Sequence, residues 1–101
     1  MKPLVYHPAV DEELAEAVDF YEARQQGLGR RFFEEYLQAI DRIQEDPLTD
    51  FLSDKGTRIL RIQRFPLGIV FKESSDRISV AALYHFSRRP NYWADRIEED
   101  D

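Results

Sequence analysis

The sequence predicts an α+β fold with the element order β-α-α-β-β-β, in which a helical hairpin packs on one face of a small antiparallel sheet. Two observations predict it: apolar residues recur at helical spacing through residues 10–43, and they alternate with other residues through residues 58–86. A third is the pair Gly27 and Gly29, which divides the helical region in two. At 101 residues, the chain is expected to form a single domain that spans residues 1–101.

The first strand and the first helix are predicted on the two sides of Pro8. Residues 3–7, PLVYH, form a short strand that ends at this proline. The helix that follows has acids at residues 11–13, in its first turn, where the helix dipole favours them. Its apolar residues lie on one face of an amphipathic helix: Val10, Leu14, Ala17, Val18 and Tyr21.

The second helix is predicted to run from the glycines to about Asp46. It stops there because Pro47 disfavours the helical conformation in the residue before it. Gly27 and Gly29 are typical of glycines at the C-terminal end of a helix, here the first one. One stripe of the second helix is apolar: Phe32, Phe33, Tyr36, Leu37, Ile40 and Ile43.

The last three strands are predicted at residues 58–64, 67–73 and 77–86, as an antiparallel meander. Pro66 ends or bends the first of them near Phe65. The face toward the helices is expected to carry Leu60, Ile62, Leu67, Ile69, Phe71, Ile78, Val80, Ala82, Tyr84 and Phe86. The opposite, exposed face is expected to carry Arg61, Gln63, Gly68, Val70, Lys72, Ser79, Ala81, Leu83 and His85. A helical turn at residues 91–98 is expected to close the chain.

Charge is distributed unevenly along the chain. The formal net charge is −6, yet residues 1–50 hold five Lys/Arg and twelve Asp/Glu, whereas residues 55–96 hold nine Lys/Arg and three Asp/Glu. The two segments therefore have net charges of −7 and +6, and residues 98–101 form an acidic tail. Such asymmetry is typical of an interaction surface, although two halves that neutralise each other across the fold would give the same pattern.

The residue types exclude several classes of function. With only His7 and His85, and no cysteine, the chain has no metal-binding signature. It has neither a glycine-rich phosphate loop nor a nucleophile elbow, so no metal and no cofactor is predicted. No apolar run approaches the roughly 20 residues that span a bilayer. The absence of cysteine fits a reducing compartment, so the protein is expected in the cytoplasm and not in a membrane.

One chemistry remains open in the basic half, namely RNA cleavage without a metal. It needs groups that remove and donate protons, together with cations that stabilise charge on phosphorus. The available side chains are Arg61, Arg64, His85, Arg88, Arg89 and Tyr92. Tyr92 and Trp93 could stack on bases, but an aromatic pair after a proline is more often a lid, so Trp93 is expected to close the core.

Four blocks taken in order resemble the RelE/ParE toxin superfamily of bacterial type II toxin–antitoxin systems, often described as plasmid stabilisation proteins. The blocks are HPAVDEELAEAVDFYE, GLGRRFFEEY, RFPLGIVF and ALYHFSRRPNYW, and together they cover nearly the whole chain. The resemblance implies two helices packed on an antiparallel sheet. It also implies a cognate antitoxin that wraps the toxin and silences it.

Within the superfamily, the chain looks closer to the ParE-like branch, whose members inhibit DNA gyrase and need no catalytic centre. The GLG hairpin and the ending His85, Arg88, Pro90, Tyr92 and Trp93 carry this likeness. We therefore predict a ParE-like toxin with an antitoxin partner and DNA gyrase as its target. The residues expected to bind the target or partner are Arg61, Arg64, Val70, Lys72, Leu83, His85, Arg88, Arg89 and Tyr92.

Two alternatives stay open. RelE-like members cleave mRNA on the ribosome, and Arg61, His85, Arg88 and Tyr92 are the catalytic candidates for such a metal-independent endoribonuclease. Those enzymes are strongly basic and carry a key arginine at approximately the strand position of Gly68, so this chain departs from their pattern. The other alternative is a non-toxic interaction domain that keeps the fold and the partner surface.

Overall fold

The structure, a computed structural model, describes residues 2–47, 51–52, 57–87, 93 and 96, and for residues 51–52 it describes the backbone alone. The elements in chain order are β1 Leu4–Tyr6, α1 Ala9–Arg24, α2 Leu28–Glu45, β2 Phe51–Leu52, β3 Arg58–Arg61, β4 Leu67–Glu73 and β5 Ile78–His85. The predicted α+β fold is confirmed, with the short strand β2 as an addition. The turn expected at residues 91–98 lies outside the described residues, apart from Trp93 and Arg96.

The sheet has five strands in the order β1-β5-β4-β3-β2. Strands β3, β4 and β5 form the predicted antiparallel meander, and β2 extends it by pairing with β3. Strand β1 lies parallel to β5, with Leu4 opposite Ile78, so the sheet is mixed and not purely antiparallel as expected. Parallel neighbours need a long connection, and the helical hairpin with the meander supplies it.

The main core lies between the helical hairpin and one face of the sheet. Its centre is an aromatic cluster in which the rings of Tyr21, Phe32 and Phe65 lie with centroids 4.8 to 5.3 Å apart. Edge-to-face arrangements of this kind add to the stability from buried apolar area. The predicted apolar residues of β3 and β4 all join this core: Leu60, Ile62, Leu67, Ile69 and Phe71. None of the described helices is long and apolar enough to cross a membrane.

The two glycines belong to the start of α2, so their assignment to the end of α1 was wrong. Gly27 has φ of +88° in the left-handed region and precedes the first residue of α2. Gly29 lies inside the first turn, where a Cβ atom would stand 2.6 Å from the backbone oxygen of Val18. The carboxylate of Glu22 accepts hydrogen bonds from both glycine N–H groups, at 2.9 and 3.0 Å. Close approach of the two helices therefore explains Gly29.

A β-bulge in β5 changes which side chains face the helices. Val70 is opposite Ala82 while the next residue, Phe71, is opposite Val80, so Ala81 is an extra residue with no paired residue in β4. One extra residue reverses the alternation of the strand beyond it. Ala82, Tyr84 and Phe86 therefore lie on the face away from the helices, whereas Leu83 and His85 face them. The predicted faces of these five residues were wrong.

The face away from the helices has its own small core. Trp93, only 2% exposed, packs there with the buried residues Val70, Ala81 and Ala82. The expectation that Trp93 closes a core is confirmed, although it closes this second one. The predicted exposed patch of Val70, Ala81 and Leu83 was wrong, because Trp93 covers the first two and the bulge turns Leu83 toward the helices.

Candidate functional site

We call the sheet surface away from the helices the open face, and its exposed part is an aromatic and cationic cluster. The Arg61 guanidinium lies 5.1 Å from the centroid of the Phe86 ring. Phe86 in turn packs edge-on against Tyr84, with centroids 5.7 Å apart. Arg61 stands opposite Gly68 in the β3–β4 ladder, and Gly68 stands opposite Tyr84 in the β4–β5 ladder. The four residues therefore form one surface.

Gly68 has little space above it. A Cβ atom at this position would lie 2.8 Å from Ile59 Cγ2 and 3.0 Å from Phe86 Cζ. Both distances are well inside ordinary van der Waals contact, so a larger side chain has to displace one of these neighbours. An arginine in this place, as RelE-like enzymes carry, has no room while Phe86 keeps its position.

His85 lies on the other side of the sheet. It lines a groove with Glu13 and Glu16 of α1, and its partner in the ladder, Leu67, belongs to the main core. The His85 Nδ1 atom accepts a hydrogen bond from the Ser87 backbone N–H at 3.1 Å and lies 2.7 Å from Ser87 Oγ. Arg61 and His85, two of the nuclease candidates, are therefore separated by the sheet.

The groove that contains His85 runs between α1 and the part of β5 beyond β1. Strand β1 pairs only with Ile78–Val80, and among the described residues no strand pairs with the rest of β5 on that side. The cavity here has a volume of about 370 Å³. We call it the α1/β5 groove, and its lining residues are Glu13, Glu16, Ala17, Phe20, Tyr21, Leu67, Leu83, His85 and Ser87.

A charged pair lies at the bulge, on the sheet edge beside this groove. Arg96 Nη1 donates to the two carboxylate oxygens of Glu13 at 3.2 and 3.1 Å and to the Ala81 carbonyl at 3.0 Å. Glu13 Oε1 also accepts from the Leu83 N–H at 3.0 Å. The Ala81 carbonyl and the Leu83 N–H, which the bulge turns away from β4, are therefore hydrogen-bonded, as buried backbone polar groups require.

The remaining predicted residues are scattered. Arg64 is exposed in the turn between β3 and β4 with φ of 73°, beside α2. Lys72 is half-buried and stands opposite Ser79. Val70 and Leu83 are buried, Val70 beneath Trp93 and Leu83 in the lining of the α1/β5 groove. Arg88, Arg89 and Tyr92 lie outside the described residues. The part that these nine residues play in binding stays a prediction.

Two tyrosines, Tyr6 of β1 and Tyr36 of α2, have perturbed acidity. Burial, and after it the neighbouring Tyr6 and Asp11, raise the pKa of Tyr36 far above its ordinary value. Burial, then Asp11 and Asp41, also raises the pKa of Tyr6. A hydroxyl that is held protonated is no general base at neutral pH. Among the described residues, no three His, Asp or Glu side chains gather into a set that could hold a metal ion.

The fold is that of a small α+β domain with a helical hairpin on one face of the sheet. Its architecture is ParE-like. It matches a chain in the solved structure of a chromosomal ParDE toxin–antitoxin system from P. aeruginosa with a TM-score of 0.73, over 84% of this chain and 96% of that chain, at 17% identity. No protein-family model matches the sequence, and neither does any curated protein.

Four residues of these surfaces were not anticipated from the sequence. Glu13 was assigned only to the acidic first turn of the first helix, and Arg96 was counted only in the charge of residues 55–96. Phe86 was placed on the wrong side of the sheet, and Phe20 was not considered. Phe20 did carry a signal, because a phenylalanine outside the apolar stripe of an amphipathic helix is expected to be exposed.

Proposed function

We propose that the protein is the toxin of a bacterial type II toxin–antitoxin module, that a cognate antitoxin neutralises it, and that it acts in the cytoplasm by binding DNA gyrase. The observation that carries this proposal is the ParE-like fold, shared over most of both chains with a chain of the ParDE structure. The ordered sequence blocks and the basic half of the chain support it.

The geometry favours a binding toxin over a ribonuclease. Arg61 and His85 lie on opposite sides of the sheet, so they cannot act on one phosphate. The position of Gly68 is closed to an arginine by Phe86. The open face with Arg61, Phe86 and Lys72 is the surface that we assign to the target.

Inhibition of supercoiling by purified gyrase is the direct test. The wild-type protein is expected to inhibit, and Arg61→Ala is expected to weaken inhibition about tenfold, because it removes a cation from the target surface. Arg30→Ala is the matched control, since Arg30 is exposed on α2 and forms only a surface ion pair with Glu34. No inhibition by the wild type at a large molar excess contradicts gyrase as the target.

Two further experiments separate the alternatives. Induced expression without a partner is expected to slow bacterial growth and to cause filamentation, which indicates DNA damage. A chain that never slows growth is instead a non-toxic interaction domain. Cleavage of mRNA on programmed ribosomes by the wild type, but not by a Tyr92→Phe/Arg88→Ala variant, would replace the gyrase proposal with ribonuclease activity.

A further inference from the structure

We propose that the α1/β5 groove is the docking site for a cationic amphipathic helix of the antitoxin, one that inserts an apolar side chain and places Lys or Arg beside Glu16. This inference rests on the proposed function, because it names how the partner of such a toxin is recognised. It assigns that partner to the groove and not to the open face, which Trp93 partly covers.

The groove has the shape and lining of an anchor site. Its floor is apolar, with Ala17 from α1, Leu67 from β4 and Leu83 from β5. Leu83 faces the groove only because the bulge reverses the alternation of β5. Concave apolar sites that are already formed and that accept one large side chain carry most of the energy in protein interfaces.

Phe20 forms an exposed wall of the groove. It is 53% exposed, the largest exposed fraction among the large apolar side chains that the structure describes. Its ring is nevertheless held in place, because Tyr21 packs edge-on against it at 5.1 Å and the Arg24 guanidinium lies 5.1 Å from its centroid. An ordered aromatic side chain loses little conformational entropy when a partner covers it.

The charge around the groove selects a basic partner. Helix α1 contains six Asp/Glu and one Arg, a net charge of −5. Glu16 is exposed at the groove, whereas Glu13 is already bound to Arg96. A second copy of this chain would bring an equally acidic helix to the same place, which like-charge repulsion disfavours. Charge complementarity therefore points to a partner rich in Lys or Arg.

The hydrogen bonds at the sheet edge favour a helix over an added strand. A strand that paired with β5 beyond β1 would need the Leu83 N–H and the Ala81 carbonyl. Glu13 and Arg96 already bond to these two groups. A helix satisfies its own backbone and needs only side-chain contacts, so it fits an edge whose polar groups are taken.

Peptide binding to the full-length protein tests the inference. The probe is a synthetic amphipathic helix of about 18 residues, roughly 27 Å long, with Leu on one face and Lys on its flanks, and a companion peptide carries Glu in place of Lys. Fluorescence anisotropy should detect binding of the Lys peptide alone. Glu16→Lys and Phe20→Ser are expected to weaken it about tenfold or more.

Matched controls on α2 show whether the effect belongs to the groove. Glu34→Lys makes the same charge change on an exposed residue, and Phe33→Ser removes another exposed aromatic side chain, and both should leave binding unchanged. Urea unfolding checks that each variant folds. No binding of the Lys peptide, equal binding of the Glu peptide, or equal loss from the α2 variants overturns the inference.

The result of the peptide experiment can be distinguished from the result of the toxicity and gyrase experiments. Peptide binding that depends on Glu16 and Phe20, without toxicity or gyrase inhibition, supports the groove and rejects the toxin activity. Toxicity with gyrase inhibition, together with peptide binding that Glu16→Lys and Phe20→Ser leave unchanged, rejects the groove alone.

Discussion

Arg96 Nη1 lies 3.1 Å from Glu13 Oε2, across 83 positions of the chain. The contact joins α1 to a residue near the C-terminus at the one place in β5 where the ladder is irregular. Both side chains are mostly shielded, with 18% and 15% of their surfaces exposed. The pair is therefore more than a surface ion pair, because each member also bonds to the backbone of the bulge.

Arg96→Met is expected to lower the free energy of unfolding by about 2 kcal/mol, because it leaves the shielded Glu13 carboxylate and the Ala81 carbonyl without this donor. Urea unfolding measures the change. Arg30→Met, which breaks an exposed pair with Glu34, should change stability by less than about 0.5 kcal/mol. Equal effects of the two substitutions would show that the bulge does not depend on Arg96.

Gly29→Ala is expected to destabilise the protein by about 2 kcal/mol, because the new methyl group meets the Val18 backbone oxygen, which cannot move without shifting α1. Gly27→Ala has open space around it and a positive φ, so its cost is about 1 kcal/mol of backbone strain. Asparagine at position 27 should recover most of that loss, since it tolerates the left-handed conformation. Thermal unfolding of the three variants gives the order, and an equal loss in all three would contradict the close approach of the helices.

Gly68→Ala is expected to cost about 1 kcal/mol through its contacts with Ile59 and Phe86. In a Phe86→Ala background the same substitution should cost less, because the ring that crowds the position is gone. A double-mutant cycle measured by urea unfolding isolates this coupling. Additive effects would mean that Phe86 does not close the space above Gly68.

Arg64→Gly is expected to stabilise the fold by about 1 kcal/mol, because Arg64 has φ of 73° and glycine adopts that conformation without the steric penalty. If Arg64 also contacts gyrase, the same variant is both more stable and a weaker inhibitor. Parallel measurements of unfolding and of supercoiling separate the two effects. Arg64→Gln, which keeps the steric penalty at positive φ, is the control for loss of the charge alone.

Alkaline pH is expected to weaken the fold through Tyr36. Its pKa is raised above the ordinary value of 10.0 in the folded protein, so the unfolded chain loses this proton first. The contribution of Tyr36 to the free energy of unfolding is therefore constant below pH 10. It falls as the pH rises further, by about 1.4 kcal/mol per pH unit for this group. Tyr36→Phe should flatten that part of the curve relative to the wild type, and an unchanged slope would contradict the assignment.

The helices and the central strand could be predicted from the sequence because their signals are local. Strand β4 runs over Leu67–Glu73, the stretch predicted from its alternation, and α2 ends at Glu45 just before Pro47. The apolar residues that these patterns assign to the core are buried or partly buried, except for Phe33 and Leu37 on the edge of the α2 stripe. Periodicity is a property of neighbouring residues, so it can be recognised without knowing the fold.

The faces of β5 could not be predicted in the same way. The bulge falls at Ala81 and Ala82, and the small side chain of alanine does not indicate which face of the sheet it occupies. Its position depends on Trp93 packing over one side and on Glu13 with Arg96 bonding at the edge, and both contacts are tertiary. A shift of one residue exchanges the faces of all later side chains of the strand, which is why the residues after Ala81 were predicted on the wrong face of the sheet.

The parallel pairing of β1 with β5 has a consequence for synthesis on the ribosome. Residues of β1 emerge before their partners, Ile78–Val80, and Glu13 emerges 83 residues before its partner, Arg96. The helical hairpin can form early from contacts that are close in sequence, whereas β1 and the edge of β5 have to wait. A nascent chain thus carries an unpaired β1 until residues 78–80 have emerged, and termination before Arg96 leaves the bulge without its bond from that residue.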